Sequence, residues 1–358
     1  MEKLKVFVVD ENAMDRKILS DAVYGTGLAI AVQTASNGKI ALERLKQQTY
    51  DVVLLGALMT KAAGLETLEQ MKHSYPEMMV IVVSAEAVEQ SVVSMGALKH
   101  GAIDYVLKPN KEKNSSIVWL QNILRSTFLE IMVQKSMHFR NECGLTMDQD
   151  RKAEILPMKQ GDFKGKPDVI VIASSTGGPE ALGTVLAGLP AAIKQPILIV
   201  QHMPKDFTKL LAETLNRNCK LPVSEAKAED VVQTGHIFIA PGGQHMTVKK
   251  SASGQKIIHL AKDKFVNGVC PAADVLFHSI AEVYSGKKVL ALILTGMGRD
   301  GKQGVMAMKQ TCDCYCMTQS ERSSVVYGMP GSIAVAGLSD ESVDLKQIPH
   351  RLRQILLA

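Results

Sequence analysis

Short, wholly apolar runs recur along this chain, and each ends abruptly in small or polar residues. Val6 to Val9 stops at Asp10-Glu11, Ile197 to Val200 at Gln201-His202, and Val289 to Leu294 at a glycine-rich turn. A strand buried on both faces reads as a continuous apolar run, and helical patterns between such runs force the strands to be parallel. In the first ~110 residues, strands are expected near 6–9, 30–34, 51–55, 79–83 and 102–107. Helices are expected between them, near 13–24, 38–47, 65–74 and 88–100. A long helix should follow over about 115–139, with Trp119, Leu120, Ile123 and Leu124 at helical spacing. From about 168 the alternation resumes, with strands at 168–172, 197–200, 236–240 and 289–294. The fold class expected is α/β, with two doubly wound parallel-sheet domains.

The stretch from about 141 to 167 mixes charge, Gly and Pro without a period and reads as a linker. The domains are therefore set at 1–135 and 167–358, with the linker at 136–166. A chain of 358 residues has room for both cores, and 46% hydrophobic with 22% charged residues is ordinary for a soluble globular protein. The net charge of +5 is mild and no Lys/Arg block of five occurs, so nucleic-acid binding is disfavoured. No apolar run nears the ~20 residues a spanning helix needs. The N-terminus lacks a signal-peptide pattern, so no membrane insertion and a cytoplasmic location are expected. Cys312, Cys314 and Cys316 alternate and are read as buried, soft apolar side chains rather than a metal or redox site.

Three segments of the second domain carry chemistry. In 169–182 an apolar strand runs through Ser174-Ser175-Thr176-Gly177-Gly178 into a helix opened by Pro179. Such a turn aims backbone N–H groups at an anion, and a hydroxyl nucleophile there needs a base. His202 stands just beyond the next strand, where open parallel sheets keep their crevice. His236, His245, His259 and His278 follow no comparable run. Asp300 lies in the turn after a third strand, where a carboxylate can fix a histidine tautomer. Alone, Asp300 would only cap the helix expected over 302–310. Together the three make a nucleophile, a base and an orienting acid in the order Ser, His, Asp, which is not the order of the α/β-hydrolases. A rival stands in Gly296 to Gly301, which matches the G-x-G-x-x-G dinucleotide pattern with Glu321 twenty residues on. Too little chain follows it for a full dinucleotide fold, and it leaves Ser175 and His202 unexplained.

The segments Ala173-Ser-Ser-Thr-Gly-Gly, Val200-Gln-His-Met-Pro, Ala240-Pro-Gly, Asp274-Val-Leu-Phe-His-Ser, Leu294-Thr-Gly-Met-Gly-Arg-Asp-Gly and Val326-Tyr-Gly-Met-Pro resemble the chemotaxis protein-glutamate methylesterase family, in order and over nearly the whole chain. The resemblance selects Ser175, the serine before Thr-Gly-Gly, over Ser174. It implies demethylation of glutamate γ-methyl esters and deamidation of glutamines on methyl-accepting chemoreceptors. It gives Ser175, His202 and Asp300 catalytic roles with no cofactor for catalysis, and the oxyanion donor is expected to be the backbone N–H of Thr176 or of Met297, Met297 by the resemblance. A chemotaxis histidine kinase is the further partner it brings in. A non-enzymatic receptor scaffold is the alternative, against which the full set of three residues counts.

The first domain resembles a response-regulator receiver, which implies a flavodoxin-like sheet. Asp10 and Glu11 match its metal-binding pair, Ser84 and Tyr105 its switch positions, and Lys108-Pro109 its lysine. The phosphoacceptor aspartate should end the third strand, where this chain has Gly56, and the usual Met-Pro beyond it has become Met59-Thr60. Asp51 cannot substitute, because it lies roughly 16 Å up the strand at about 3.3 Å per residue. Without a carboxylate at Gly56 the Mg²⁺ site is a vestige, and ordinary aspartyl phosphorylation is not expected. By resemblance an unphosphorylated receiver covers the active site, so this one is expected either to inhibit permanently or to dock.

Overall fold

The computed structural model describes residues 3–56, 62–84, 96–98, 100–108, 116–142, 165–205 and 207–357. The chain divides into two compact units, Met1–Asp148 and Gln149–Ala358.

The first unit runs β1 (Leu4–Val9), α1 (Ala13–Gly25), β2 (Ala29–Ala35), α2 (Gly38–Gln47), β3 (Val52–Gly56), α3 (Ala62–Ser74), β4 (Met79–Ser84), β5 (Asp104–Leu107) and α4 (Ser116–Glu142). Its sheet has the order β2-β1-β3-β4-β5. All four pairings are parallel. The apolar strand runs are buried on both faces, as their composition demands. Leu120, Leu124, Phe128 and Ile131 recur at helical spacing along α4 and pack into one core with Leu19 and Val23 of α1. Burying a side chain of this size contributes about 1.5–3 kcal/mol. Asn12 and Asn37 cap α1 and α2, their side chains accepting first-turn N–H groups.

α4 continues to Glu142, past the boundary set at residue 135. Residues 136–142 contain neither Gly nor Pro, so nothing stops the helix before Cys143-Gly144. Of the helix expected over 88–100, residues 96–98 are described and are helical. Met59-Thr60, Pro109, Cys143 and linker residues 143–164 lie outside the described residues.

The second unit runs β6 (Val169–Ser174), α5 (Gly178–Ala187), β7 (Ile197–Gln201), α6 (Phe207–Asn218), β8 (Val223–Glu225), β9 (Ile237–Ile239), β10 (His245–Lys250), β11 (Lys256–Ala261), α7 (Ala273–Val283), β12 (Lys288–Ile293), α8 (Lys302–Thr311), β13 (Asp313–Gln319), α9 (Gly328–Val335), β14 (Glu341–Val343) and α10 (Ile348–Leu357). Seven strands form a sheet of order β14-β13-β12-β6-β7-β9-β8, and β10 and β11 form a separate antiparallel hairpin. Every pairing within the large sheet is parallel. From β6 the chain moves outward on one side through β7, and it returns on the other side at β12. That reversal opens a crevice at the carboxyl ends of β6, β7 and β12, the place where open α/β sheets take ligands. Cys314 and Cys316 lie on β13 within or against the core, and burial pushes the Cys314 thiol up to about 12. Among the described residues no helix is long and apolar enough to cross a membrane.

Candidate active site

Parallel register decides which residues meet in the crevice. Ser174 pairs with Gln201 across β6 and β7, so Ser175 and His202 are the next residues out on adjacent strands. The His202 N–H donates to the Ser174 carbonyl at 3.1 Å, carrying the pairing one step past the sheet. On the other side, the Ser175 N–H donates to the carbonyl of Thr295, just beyond β12, at 3.0 Å. Ser175 is thus fixed between two neighbouring strand ends. A Cβ on Gly296 would come within 2.8 Å of the Ser175 Cβ and 2.9 Å of its backbone nitrogen, so only glycine fits there.

The two adjacent serines differ in what their hydroxyls do. Ser174 is fully buried and donates to Gln201 Oε1 at 2.6 Å. The Gln201 amide in turn donates to the carbonyls of Ser175 at 2.9 Å and His202 at 3.3 Å. Ser174 and Gln201 brace the turn, and Ser175, the first residue beyond β6, is half-buried. Gln201 went unread in the sequence, although a polar side chain closing an apolar strand is itself a signal.

His202 Nε2 and Asp300 Oδ2 lie 2.8 Å apart, and the Asp300 side chain is almost wholly buried. Nδ1 is left as the second ring nitrogen of His202. Asp300 Oδ2 also accepts from the Ala273 N–H at 2.5 Å. Its Oδ1 accepts from Asn267 Nδ2 at 2.8 Å and from the Asp274 N–H at 3.1 Å. Four donors therefore fill the carboxylate's lone-pair positions. Burial pushes this carboxyl up, but the bond and charge of His202, with the Ala273 and Asn267 donors, outweigh it and hold the value below the ordinary one.

Asp300 does not cap the helix that follows it. Ala272 stands at the N-cap of α7 and Gly301 at that of α8, and neither supplies a side-chain cap. Asp300, two residues before α8, accepts the first N–H groups of α7. Asp274, in the first turn of α7, accepts the Gly304 N–H of α8 at 2.8 Å. Each helix thus borrows its cap from the other, and both positive helix ends face carboxylates. Asp274 is raised above the ordinary carboxyl value, chiefly by burial and further by the charge of Asp300, against the lowering by Gly304 and Asn267.

The competing histidines have other partners. His245 is buried, with Nε2 on the Lys264 carbonyl at 3.0 Å and Nδ1 accepting from the Ala272 N–H at 3.2 Å. His236 bonds Ser224 Oγ at 2.8 Å and stacks on Phe238. His259 lies beside Thr247 on the hairpin, and His278 lies within α7. Thr176 is buried, and its carbonyl accepts from Thr295 Oγ1 at 2.9 Å. Met297 is half-buried in the turn after β12, ahead of Gly298 at φ +82°.

Residues 170–352 match the CheB methylesterase domain family, and residues 6–116 match the response regulator receiver domain. A relative from Trichodesmium erythraeum named protein-glutamate methylesterase/protein-glutamine glutaminase is 34% identical over 357 residues, covering 98% of this chain and 99% of its own. This chain belongs to the CheB methylesterase family. A Desulfotalea psychrophila relative of the same name is 35% identical and covers 98% of both chains. The CheB methylesterase catalytic domain of Thermotoga maritima superposes with a TM-score of 0.50 at 37% identity, over 53% of this chain and 98% of that one.

The receiver pocket of this CheB-family chain departs from what its relatives' domain type leads one to expect. Val9 pairs with Leu55, which sets Asp10 opposite Gly56 at the carboxyl ends of β1 and β3. A Cβ on Gly56 would lie 2.2 Å from Asp10 Oδ2, so the Asp10 carboxylate fills the space an aspartate stem would take. Lys108 Nζ bonds Asp10 Oδ2 at 2.8 Å and Asp15 Oδ2 at 2.7 Å. Burial alone would lower the Lys108 ammonium, but bonds to Asp10 and Asp15 outweigh it and raise it. Asp10 Oδ1 accepts the Asn12 N–H at 2.9 Å, and Glu11 is exposed. With Asp10 so engaged and no carboxylate at 56, these residues do not fit a divalent cation. Ser84 is buried at the end of β4, and its carbonyl accepts from the Lys108 N–H at 2.6 Å. Tyr105 is buried, which pushes its phenol well up. Asp51 sits at the opposite end of β3, accepting the Lys5 N–H at 2.7 Å. Asp15 was not singled out in the sequence, since a first-turn aspartate reads only as a helix-end charge.

Proposed function

We propose that this chain hydrolyses γ-glutamyl methyl esters on chemoreceptors, releasing methanol, and deamidates receptor glutamines, releasing ammonia. The observation that carries this reading is the Asp300–His202 contact of 2.8 Å beside Ser175 at three adjoining strand ends. His202 takes the Ser175 proton as the hydroxyl adds to the side-chain carbonyl. The resulting oxyanion is held by backbone N–H groups at Thr176 and Met297. Protonated His202, held by Asp300, then gives its proton to the departing methoxide or amine. Water, deprotonated by the same imidazole, cleaves the acyl-enzyme and leaves a glutamate. Ester and amide differ only in the leaving group, so one site serves both.

The same proposal takes the receiver unit to be unresponsive to aspartyl phosphorylation. Gly56 offers no acceptor, and Lys108 already bridges Asp10 and Asp15.

Methanol release from methylated chemoreceptor membranes tests the reading. The full chain should release methanol, and Ser175→Ala should not. A phosphodonor with Mg²⁺ should leave the rate of the full chain unchanged. Background release by the full chain, by residues from about 165 onward and by Ser175→Ala alike would favour a receptor-bound scaffold instead.

A further inference from the structure

The Asn267 side chain spans two carboxylates with one amide nitrogen. Nδ2 donates to Asp300 Oδ1 at 2.8 Å and to Asp274 Oδ2 at 2.7 Å. An amide nitrogen has two protons, so both are used. The residue sits at φ +54°, in the left-handed region, between the bridged pair Val266 and Val269. Both carboxylates are buried, whereas Asn267 itself is exposed. It therefore reaches Asp300 from an exposed loop and shares Oδ1 with the Asp274 N–H of α7. The loop that carries it is anchored from behind, because His245 holds the Lys264 carbonyl.

We propose that Asn267 is a positioning residue for the hydrolysis, fixing the rotation of Asp300 and through it the His202 ring, and that Asp274 acts by fixing the amide of Asn267. Remove the amide, and Oδ1 keeps only the long Asp274 N–H bond of 3.1 Å on that side. The carboxylate can then swing away from Nε2. An amide has two faces, and only one serves. If Asn267 turned over, its carbonyl oxygen would meet Asp300 and repel it. Asp274 Oδ2 accepts solely from the nitrogen, so it holds the productive face. Its Oδ1, on Gly304, fastens Asp274 itself.

This inference rests on the proposed hydrolase reading, and the experiment separates the two. Methanol release is measured on the full chain for the parent, Ser175→Ala, Asn267→Gly, Asp274→Asn and the double variant. Glycine is at ease at φ +54°, so Asn267→Gly keeps the loop while deleting the amide. Asp274→Asn keeps an oxygen for Gly304 but presents an NH₂ group that favours the overturned amide. Asn267→Gly should lower kcat by roughly tenfold to a hundredfold, the loss of one hydrogen bond to a charged group, with KM unchanged. Asp274→Asn should lower kcat similarly, and in the Asn267→Gly background it should cost nothing further. Rates within about twofold of the parent for Asn267→Gly, or losses that multiply in the double variant, would overturn the inference. A parent no more active than Ser175→Ala would overturn the hydrolase reading first.

Discussion

Asp300 combines its contact with His202 with three further hydrogen-bond donors, and the combination has a pH signature. Its carboxyl lies below the ordinary value in the folded chain, so protonation favours unfolding. The stability it contributes is therefore complete above its unfolded value of about pH 4 and is lost as pH falls through the lower folded value. Asp300→Asn, which cannot titrate, should lack this loss. Its stability deficit against the parent, measured by urea unfolding of the second unit, should narrow steadily below about pH 4. At neutral pH the same variant should lose about 10³- to 10⁴-fold in methanol release, the scale of a lost orienting carboxylate. A deficit that stays constant with pH would mean that Asp300 is not held as a carboxylate.

At the scale of elements, α7 and α8 borrow their caps from one another. Asp274→Ala removes the acceptor for Gly304, a loss of about 0.5–2 kcal/mol for a helix cap. Amide hydrogen exchange at Gly304 and the first turn of α8 should then quicken, while α10 keeps its protection. This reciprocity was invisible in the sequence, where Asp300 could be read only as a cap for the helix that follows it, whereas Ala272 and Gly301 stand at the two helix starts without a side-chain cap. The strands were legible because burial on both faces forces a continuous apolar run. Ser175, His202 and Asp300 were legible because each follows such a run. Asn267 was not, for it stands on an irregular loop whose partners lie 7 and 33 positions away. β8 and β14 were missed for a related reason, being three-residue edge strands too short to carry a pattern.

Across the whole molecule, the second unit brings Ser175, His202 and Asp300 to adjoining strand ends, while the receiver unit has Gly56 where its resemblance leads one to expect an aspartate. Restoring that side chain alone should not restore the response. In Gly56→Asp the new Cβ collides with Asp10 Oδ2, and a further carboxylate joins Asp10 and Asp15 around the single Lys108 ammonium. The receiver transition in calorimetry should fall by the equivalent of about 1–3 kcal/mol in metal-free buffer. Millimolar Mg²⁺ should not recover it, because Lys108 already engages Asp10 and Asp15. No loss of stability would mean that Asp10 swings aside freely.

The space beneath Asp10 also bears on history. Glycine and aspartate have neighbouring codons, so a single base change could return an aspartate to position 56. Yet the returning side chain would find its seat taken and its lysine engaged, and the first revertants would be less stable without signalling any better. Selection would remove them before a second change could move Asp10. A loss that looks one step deep in the gene is thus a ratchet in the protein, and a lineage that has passed it would be expected to keep its glycine.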